Sequence, residues 1–158
     1  MTHTPIRFAT ALRSPYDVAA SARYIEELGF DVLGCGEHVS FYGDTANGFV
    51  SLSVAAGATS RIQLMSAITL VPMYLAALLA KLGAALDVAS NGRFMLGVGV
   101  GGEYPNEFEA CGVPVSQRGS RTDEALEVLH RTWSGTDVTF HGRYTTMNNF
   151  SLKPLPIQ

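Results

Sequence analysis

The chain has 158 residues, which favours one domain and is long enough to bury a hydrophobic core. Its formal net charge is −3 without a basic cluster, which argues against a nucleic-acid partner. The longest apolar run, residues 75–86, contains Lys81 and is too broken to span a membrane. No secretory pattern opens the chain, and Cys35 and Cys111 lack metal-ligand spacing. We therefore expect a cytoplasmic protein with two free thiols.

Strand and helix patterns alternate from the first residues onward. Residues 6–10 predict a short strand, and Ser14 predicts the cap of a helix that ends at Gly29. Residues 30–35 predict a second, buried strand, and the alanine-rich residues 49–59 predict a second helix. These patterns describe two consecutive βα units.

Two further units follow. Residues 62–69 predict a third strand, and the helix after it stops at Gly92. Residues 94–98 predict a short strand buried on both faces, and Ser120 predicts the capping box of a fourth helix. The apolar side of the third helix is predicted to consist of Leu75, Leu78, Leu79, Leu82, Leu86 and Ala89, and that of the fourth of Ala125, Leu126, Leu129 and Trp133.

The C-terminal part of the chain departs from this alternation. Residues 138–152 predict an extended hairpin that turns at residues 141–143. The proline-rich residues 153–158 are unsuited to a helix or a central strand.

A glycine-rich loop follows the fourth strand, and two interpretations of it compete. Gly97, Gly99 and Gly102 match the dinucleotide fingerprint G-x-G-x-x-G after a strand. That fingerprint needs a helix to open at the second glycine, whereas Glu103 and Pro105 follow here and suit a phosphate poorly. We therefore favour a strand-end loop of another α/β fold over a Rossmann site.

Alternating strands and helices with short connections predict parallel βα units. Both an open doubly wound sheet and part of a (β/α)8 barrel fit this pattern. In either architecture ligands lie beyond the carboxyl ends of the strands. The groups at those ends are Glu37, His38, Thr69 and residues 99–103.

An ordered set of short motifs carries a family resemblance. Together they resemble the bacterial luciferase-like superfamily of flavin- and deazaflavin-dependent oxidoreductases over nearly the whole chain. The motifs are Gly29-Phe30-Asp31, Glu37-His38, Ser60-Arg61-Ile62, Ala80-Lys81, Leu86-Asp87, Asn91-Gly92-Arg93-Phe94, Leu96-Gly97-Val98-Gly99, Glu107-Phe108-Glu109-Ala110-Cys111-Gly112, Arg118-Gly119, Arg121-Thr122-Asp123-Glu124 and Phe140-His141-Gly142.

The resemblance implies a particular architecture. The family fold is a (β/α)8 barrel of about twice this length, so this α/β chain would form the first half of a TIM barrel with a C-terminal β-hairpin extension. We expect residues 1–158 to be a single domain, truncated after about four βα units. Relatives are commonly dimeric, which implies a homodimer.

The resemblance also implies an activity. We expect hydride transfer with a deazaflavin coenzyme of the F420 type, or monooxygenation with reduced FMN, on a small organic substrate. The alternative is a non-catalytic half-barrel that acts as a scaffold or assembly partner, because a shared cofactor site would be incomplete within 158 residues.

Finally, the resemblance assigns site residues. His38 would lie beside the flavin ring or substrate as an acid–base group, and Glu103 stands next to the place of a carboxylate acid in some deazaflavin enzymes. The family commonly has a bulge with an unusual peptide bond within residues 66–69. Glu37 is interpreted as a carboxylate that braces its loop, and no metal site is expected. The expected cofactor-binding residues are Ala67, Thr69, Gly99, Val100 and Gly101.

Overall fold

A computed structural model of the protein describes residues 6–158. The sequence predicts no secretory signal at the N-terminus, and residues 1–5 of that stretch lie outside the described residues. The helices and strands are β1 (Ala9–Ala11), α1 (Val18–Glu27), β2 (Val32–Cys35), α2 (Gly48–Ala58), β3 (Gln63–Ser66), β4 (Thr69–Leu70), α3 (Ala76–Ala89), β5 (Phe94–Met95), β6 (Val98–Gly99), α4 (Pro105–Ala110), α5 (Arg118–Trp133), β7 (Val138–His141) and β8 (Thr146–Phe150).

The main sheet is parallel, as the alternating pattern predicts. Its strands lie in the order β1-β2-β3-β5, and β4 pairs with β6 in a second parallel ladder. Strands that neighbour each other in chain order are typical of a barrel, whereas a Rossmann sheet places its first strand between the second and the fourth. The topology therefore favours the barrel interpretation over the Rossmann one.

The third and fourth strands are each interrupted, which corrects the prediction of two continuous strands. Ser66 accounts for the break, because its hydroxyl accepts a hydrogen bond from the Gly97 amide and donates one to the Gly97 carbonyl, both at 3.0 Å. A Cβ atom at Gly97 would overlap the Ser66 carbonyl oxygen, so the two strands approach closely here. The peptide bond between Ala67 and Ile68 is cis, at the place where the resemblance implies an unusual peptide bond.

Two of the predicted helix caps are wrong. The hydroxyl of Ser14 accepts a hydrogen bond from the Tyr16 amide at 3.1 Å and so closes a turn, and α1 begins only at Val18. Helix α5 begins at Arg118, before the predicted box, and Ser120 donates to the Gln117 carbonyl inside the first turn. Both serines bind their own backbone locally, which competes with capping.

Helix α3 presents a different face to the core than its leucines predict. Leu75 and Leu78 are exposed, whereas the buried side carries small residues beside Leu79 and Leu86. These small residues leave room for Trp133 of α5, whose indole NH donates to the Ala80 carbonyl at 3.0 Å. Close approach of two helices therefore decides the buried face.

The C-terminal hairpin is confirmed. Strands β7 and β8 pair antiparallel and turn at residues 142–145, and residues 153–158 form neither helix nor strand. Cys35 is buried, Cys111 is exposed, and both are free thiols. Among residues 6–158, no helix has the length and apolarity needed to cross a bilayer.

Glu26 fixes the turn between α2 and β3. Its carboxylate accepts hydrogen bonds from the amides of Ser60, Arg61 and Ile62 at 2.7–3.0 Å. Desolvation raises the pKa of this group, but the three amide donors and the nearby Arg61 cation outweigh it, so the pKa is lowered. The ionised carboxylate therefore stabilises the fold.

We predict that Glu26→Gln lowers the free energy of unfolding by about 1 kcal/mol at pH 7, because a neutral amide accepts these bonds more weakly. Since the folded-state pKa lies below the unfolded one, the difference from the parent is fully present above pH 4.5, the ordinary value, and shrinks as pH falls through the folded pKa. Urea unfolding at several pH values measures it. Glu27→Gln, which alters an exposed neighbour, is the matched control, and equal losses in both variants would contradict the assignment.

Candidate active site

A cleft of about 670 Å³ opens where the parallel strands end. It brings together six of the seven predicted site residues: His38, Glu103, Ala67, Gly99, Val100 and Gly101. Ordinary small-molecule sites have volumes of about 300–1,000 Å³. The walls are contributed by residues 12–15 after β1, residues 36–38 and 44–46 after β2, Ala67, Ile68 and Leu70, and residues 99–103 after β6.

Thr69 is the predicted residue that does not line this cleft. Its side chain is fully buried, and its amide donates to the Gly97 carbonyl at 2.8 Å. Within residues 6–158, its hydroxyl oxygen has no hydrogen-bond partner. Strand alternation explains the difference, because neighbouring residues of a strand point to opposite faces and Ile68 is on the cleft side.

His38 is held by a buried carboxylate. Its Nδ1 atom lies 3.2 Å from both carboxylate oxygens of Glu107, and the Val39 amide donates to Oε2 of the same residue at 3.0 Å. Glu107 is 1% exposed, whereas the His38 side chain is 26% exposed on the cleft wall. An ionised carboxylate only accepts hydrogen bonds, so Nδ1 is the donor and Nε2 of the neutral ring remains free to accept.

Glu107 was not predicted as a site residue. It lies on the short helix α4, which Pro105 opens at its first position. Pro105 argues against a helix that opens at the second glycine of the loop, but it is favourable at the first position of a helix, and the helix α4 that presents Glu107 is not among the predicted ones. The available signal was its place in the motif of residues 107–112 that carries the resemblance.

Glu103 is the second predicted catalytic residue. It lines the cleft but is exposed, and the carboxylate in contact with His38 is that of Glu107. Glu103 directly follows the glycine pair 101–102, on the loop before α4. It is therefore a rim residue of the cleft.

Glu37 braces the site, as predicted. Its buried carboxylate accepts hydrogen bonds from the Gly48 amide at 3.3 Å, the Leu70 amide at 2.9 Å and the Tyr74 hydroxyl at 3.0 Å. Burial, followed by the charge of Glu37, raises the pKa of Tyr74 far above its ordinary value. Tyr74 therefore remains a hydrogen-bond donor, and Glu37 ties the segment that carries His38 to α2 and to β4.

The glycine-rich loop after β6 forms another part of the cleft wall. A Cβ atom at Gly99 would overlap the Ile68 side chain, and Gly101 has a φ of 60°, which favours glycine. The Ile68 side chain covers Gly99, and both residues line the cleft together with Ala67. Ala67, Ile68 and residues 99–101 thus provide an apolar wall within one cleft, which fits the flat face of an isoalloxazine-type ring.

The other polar residues considered do not form a second centre. Glu124 accepts hydrogen bonds from the Arg143 and Tyr144 amides, and Arg121 lies over the Tyr144 ring at 4.5 Å. His130 and His141 are exposed. No group of three or more metal-ligating side chains occurs within residues 6–158.

Comparison with known proteins identifies the family. The family profile described as luciferase-like monooxygenase matches residues 2–158. The chain belongs to this family. It is a family of flavin- and F420-dependent oxidoreductases, and the proteins named below illustrate both cofactors.

Two curated relatives are about one-third identical to the luciferase-like chain. The 4-hydroxyprotoasukamycin monooxygenase of Streptomyces nodosus subsp. asukaensis is 31% identical over 117 residues, which cover 73% of this chain and 31% of the relative. The FMNH(2)-dependent dimethylsulfone monooxygenase of Pseudomonas putida is 32% identical over 143 residues, which cover 87% and 39%. The chain thus spans less than half the length of either relative.

Solved structures share the fold. An F420-dependent secondary alcohol dehydrogenase in complex with an F420–acetone adduct superposes with a TM-score of 0.82 at 28% identity, and the match covers 99% of this chain and 50% of that one. The monooxygenase RslO1 from Streptomyces bottropensis gives 0.86 at 24% identity, with coverage of 97% and 50%. The described chain therefore has the fold of one half of a (β/α)8 barrel.

Proposed function

We propose that this chain is the part of a luciferase-like oxidoreductase that receives the cofactor ring and supplies the acid–base group. The observation that carries the proposal is the His38–Glu107 pair on the wall of a cleft that the glycine-rich loop also lines. We further propose that residues 1–158 act as one domain of that enzyme.

The cofactor is FMN or a deazaflavin of the F420 type. Support comes from the relatives, since the dimethylsulfone monooxygenase is FMNH(2)-dependent and the structurally similar alcohol dehydrogenase is F420-dependent. When bound, the ring supplies hydride transfer, or oxygen activation in the case of reduced FMN. Ala67, Ile68 and the loop of residues 99–101 line the same cleft and would together form the wall against which the ring lies.

His38 acts as the acid–base group toward a small organic substrate. With Nδ1 bound to Glu107, Nε2 is the ring nitrogen that can accept or donate a proton at a substrate oxygen. Glu107 holds the ring orientation and the tautomer and counterbalances the charge of the imidazolium when it forms. Glu37 keeps the loop in place but does not exchange the proton, because its oxygens are occupied by three donors.

Titration of the protein with FMN and with F420 tests the cofactor site. Binding of either ring is expected to change its absorbance and quench or shift its fluorescence. Gly99→Val, whose side chain would overlap Ile68, is expected to weaken binding at least tenfold because Ile68 must then move out of the proposed ring wall. Failure to bind either cofactor would contradict the proposal.

We predict that His38→Gln and Glu107→Gln each lower kcat about 10²–10⁴-fold on a panel of small alcohols, ketones and sulfones. The dissociation constant of the cofactor should change much less than kcat, since the proposed ring wall is formed by Ala67, Ile68 and residues 99–101. Steady-state kinetics and the titration above provide the two readouts. His130→Gln, an exposed histidine on α5, is the control. A His38→Gln protein with parental kcat would contradict the assigned role.

We also propose that the enzyme is a homodimer that pairs through the outer faces of α2 and α3. Both helices are apolar on nearly every side, although one side of each already packs in the core. Val50 and Val54 of α2 are 65% and 44% exposed, and Leu78 of α3 is 51% exposed. An exposed apolar surface on two adjacent helices is typical of a protein interface.

We predict that Val54→Asp combined with Leu78→Asp converts the dimer to a monomer, because both charges would be buried without partners. Sedimentation velocity at micromolar concentration measures the change. Leu126→Asp, which alters a partly exposed leucine on α5, is the matched control and should remain dimeric. A parent protein that sediments as a monomer at all concentrations would rule out the interface.

A further inference from the structure

The loop between β2 and α2 places an aromatic cluster beside His38. Phe41 and Tyr42 come from this loop, and Tyr104 comes from the segment just before α4. The three ring centroids lie 4.9–6.0 Å from one another. The cluster therefore joins the two chain segments that supply the two members of the acid–base pair.

Phe41 makes the closest of these aromatic contacts. Its ring lies parallel to the His38 imidazole, with centroids 4.1 Å apart and an interplanar angle of 10°. This contact covers one face of the imidazole, while Glu107 occupies Nδ1 at its edge. Rotation of the imidazole about its bond to Cβ would break both contacts at once.

The surroundings argue for a role beyond core packing. Phe41 is only partly buried, Tyr42 is 82% exposed, and neither belongs to the hydrophobic core. None of the three aromatic side chains lines the cleft, so they leave its volume to ligands. The contact that distinguishes Phe41 from an ordinary surface aromatic residue is its parallel stacking on His38.

We propose that Phe41 is a positioning residue for His38. Stacking and the Glu107 contact together fix the imidazole plane, so that Nε2 alone is free to meet a ligand. Tyr42 and Tyr104 hold Phe41 in place by edge contacts from the two segments. The inference rests on the proposed function for its kinetic consequence, but the ring geometry can be tested without activity.

NMR spectroscopy of histidine side chains tests the geometry directly. In the parent protein the carbon-bound ring protons of His38 should resonate upfield of those of the exposed His130 and His141, because they lie over the Phe41 ring. Nitrogen shifts should show the Nδ1–H tautomer for His38. Phe41→Leu should move the ring protons downfield and mix the tautomers, and Phe41→Tyr should restore both signatures.

Kinetics provides the second arm. Phe41→Leu is expected to lower kcat about tenfold with little change in cofactor affinity, since a misoriented group costs rate, and Phe41→Tyr should recover it to within twofold. Tyr24→Leu, which removes an exposed aromatic ring on α1, is the control for general effects.

The outcomes separate this inference from the proposed function. Parental His38 resonances without an upfield shift would overturn the inference even if Phe41→Leu fails to fold. So would a folded Phe41→Leu protein with parental tautomer and kcat. An upfield shift in a protein that binds neither FMN nor F420 would support the stacking and refute the proposed function instead.

Discussion

The strands of the main sheet all run in one direction, and the candidate site depends on this constraint. Parallel strands bring their carboxyl ends to the same edge, so residues far apart in the chain can share one cleft. His38 follows β2, Ala67 follows β3 and Gly99 ends β6. An antiparallel arrangement of β2 and its neighbours would place these groups at opposite ends of the sheet.

Two buried carboxylates stabilise this edge in different ways. Glu37 receives hydrogen bonds from two amides and a tyrosine hydroxyl and thereby joins the β2 end to α2 and β4. Glu107 accepts one hydrogen bond from the Val39 amide and another from the His38 imidazole. The first carboxylate has only fixed donors, whereas the second contacts a group that can gain or lose a proton. This difference separates the structural role from the proposed chemical one.

The parallel topology and most helix positions could be predicted from the sequence, because apolar periodicity and chain breakers such as Gly29 and Gly92 act locally. The first residues of α1 and α5, Val18 and Arg118, could not be predicted, because Ser14 and Ser120 form hydrogen bonds with nearby backbone groups instead of capping the helices. The buried face of α3 depends on Trp133 of a later helix. The breaks in the third and fourth strands arise from the Ser66–Gly97 contact, which joins residues 31 positions apart.

In the candidate site, too, local sequence patterns locate some residues, whereas others depend on contacts between distant segments. His38 and the glycine loop could be located because they follow recognisable strands. Glu107 could not be assigned, because its role appears only when α4 folds against the β2–α2 loop. Thr69 lies at a strand end, but the side of the strand on which a residue lies decides its exposure, and Thr69 is buried outside the cleft lining.

The most direct test of the account is to observe where a cofactor ring lies. Nuclear Overhauser effects between the aromatic protons of bound FMN or F420 and the protein would locate it. The account predicts that a single bound ring gives effects to the Ile68 side chain, to the Gly99 or Val100 amide and to the His38 ring. Binding that gives effects to none of these groups would contradict it.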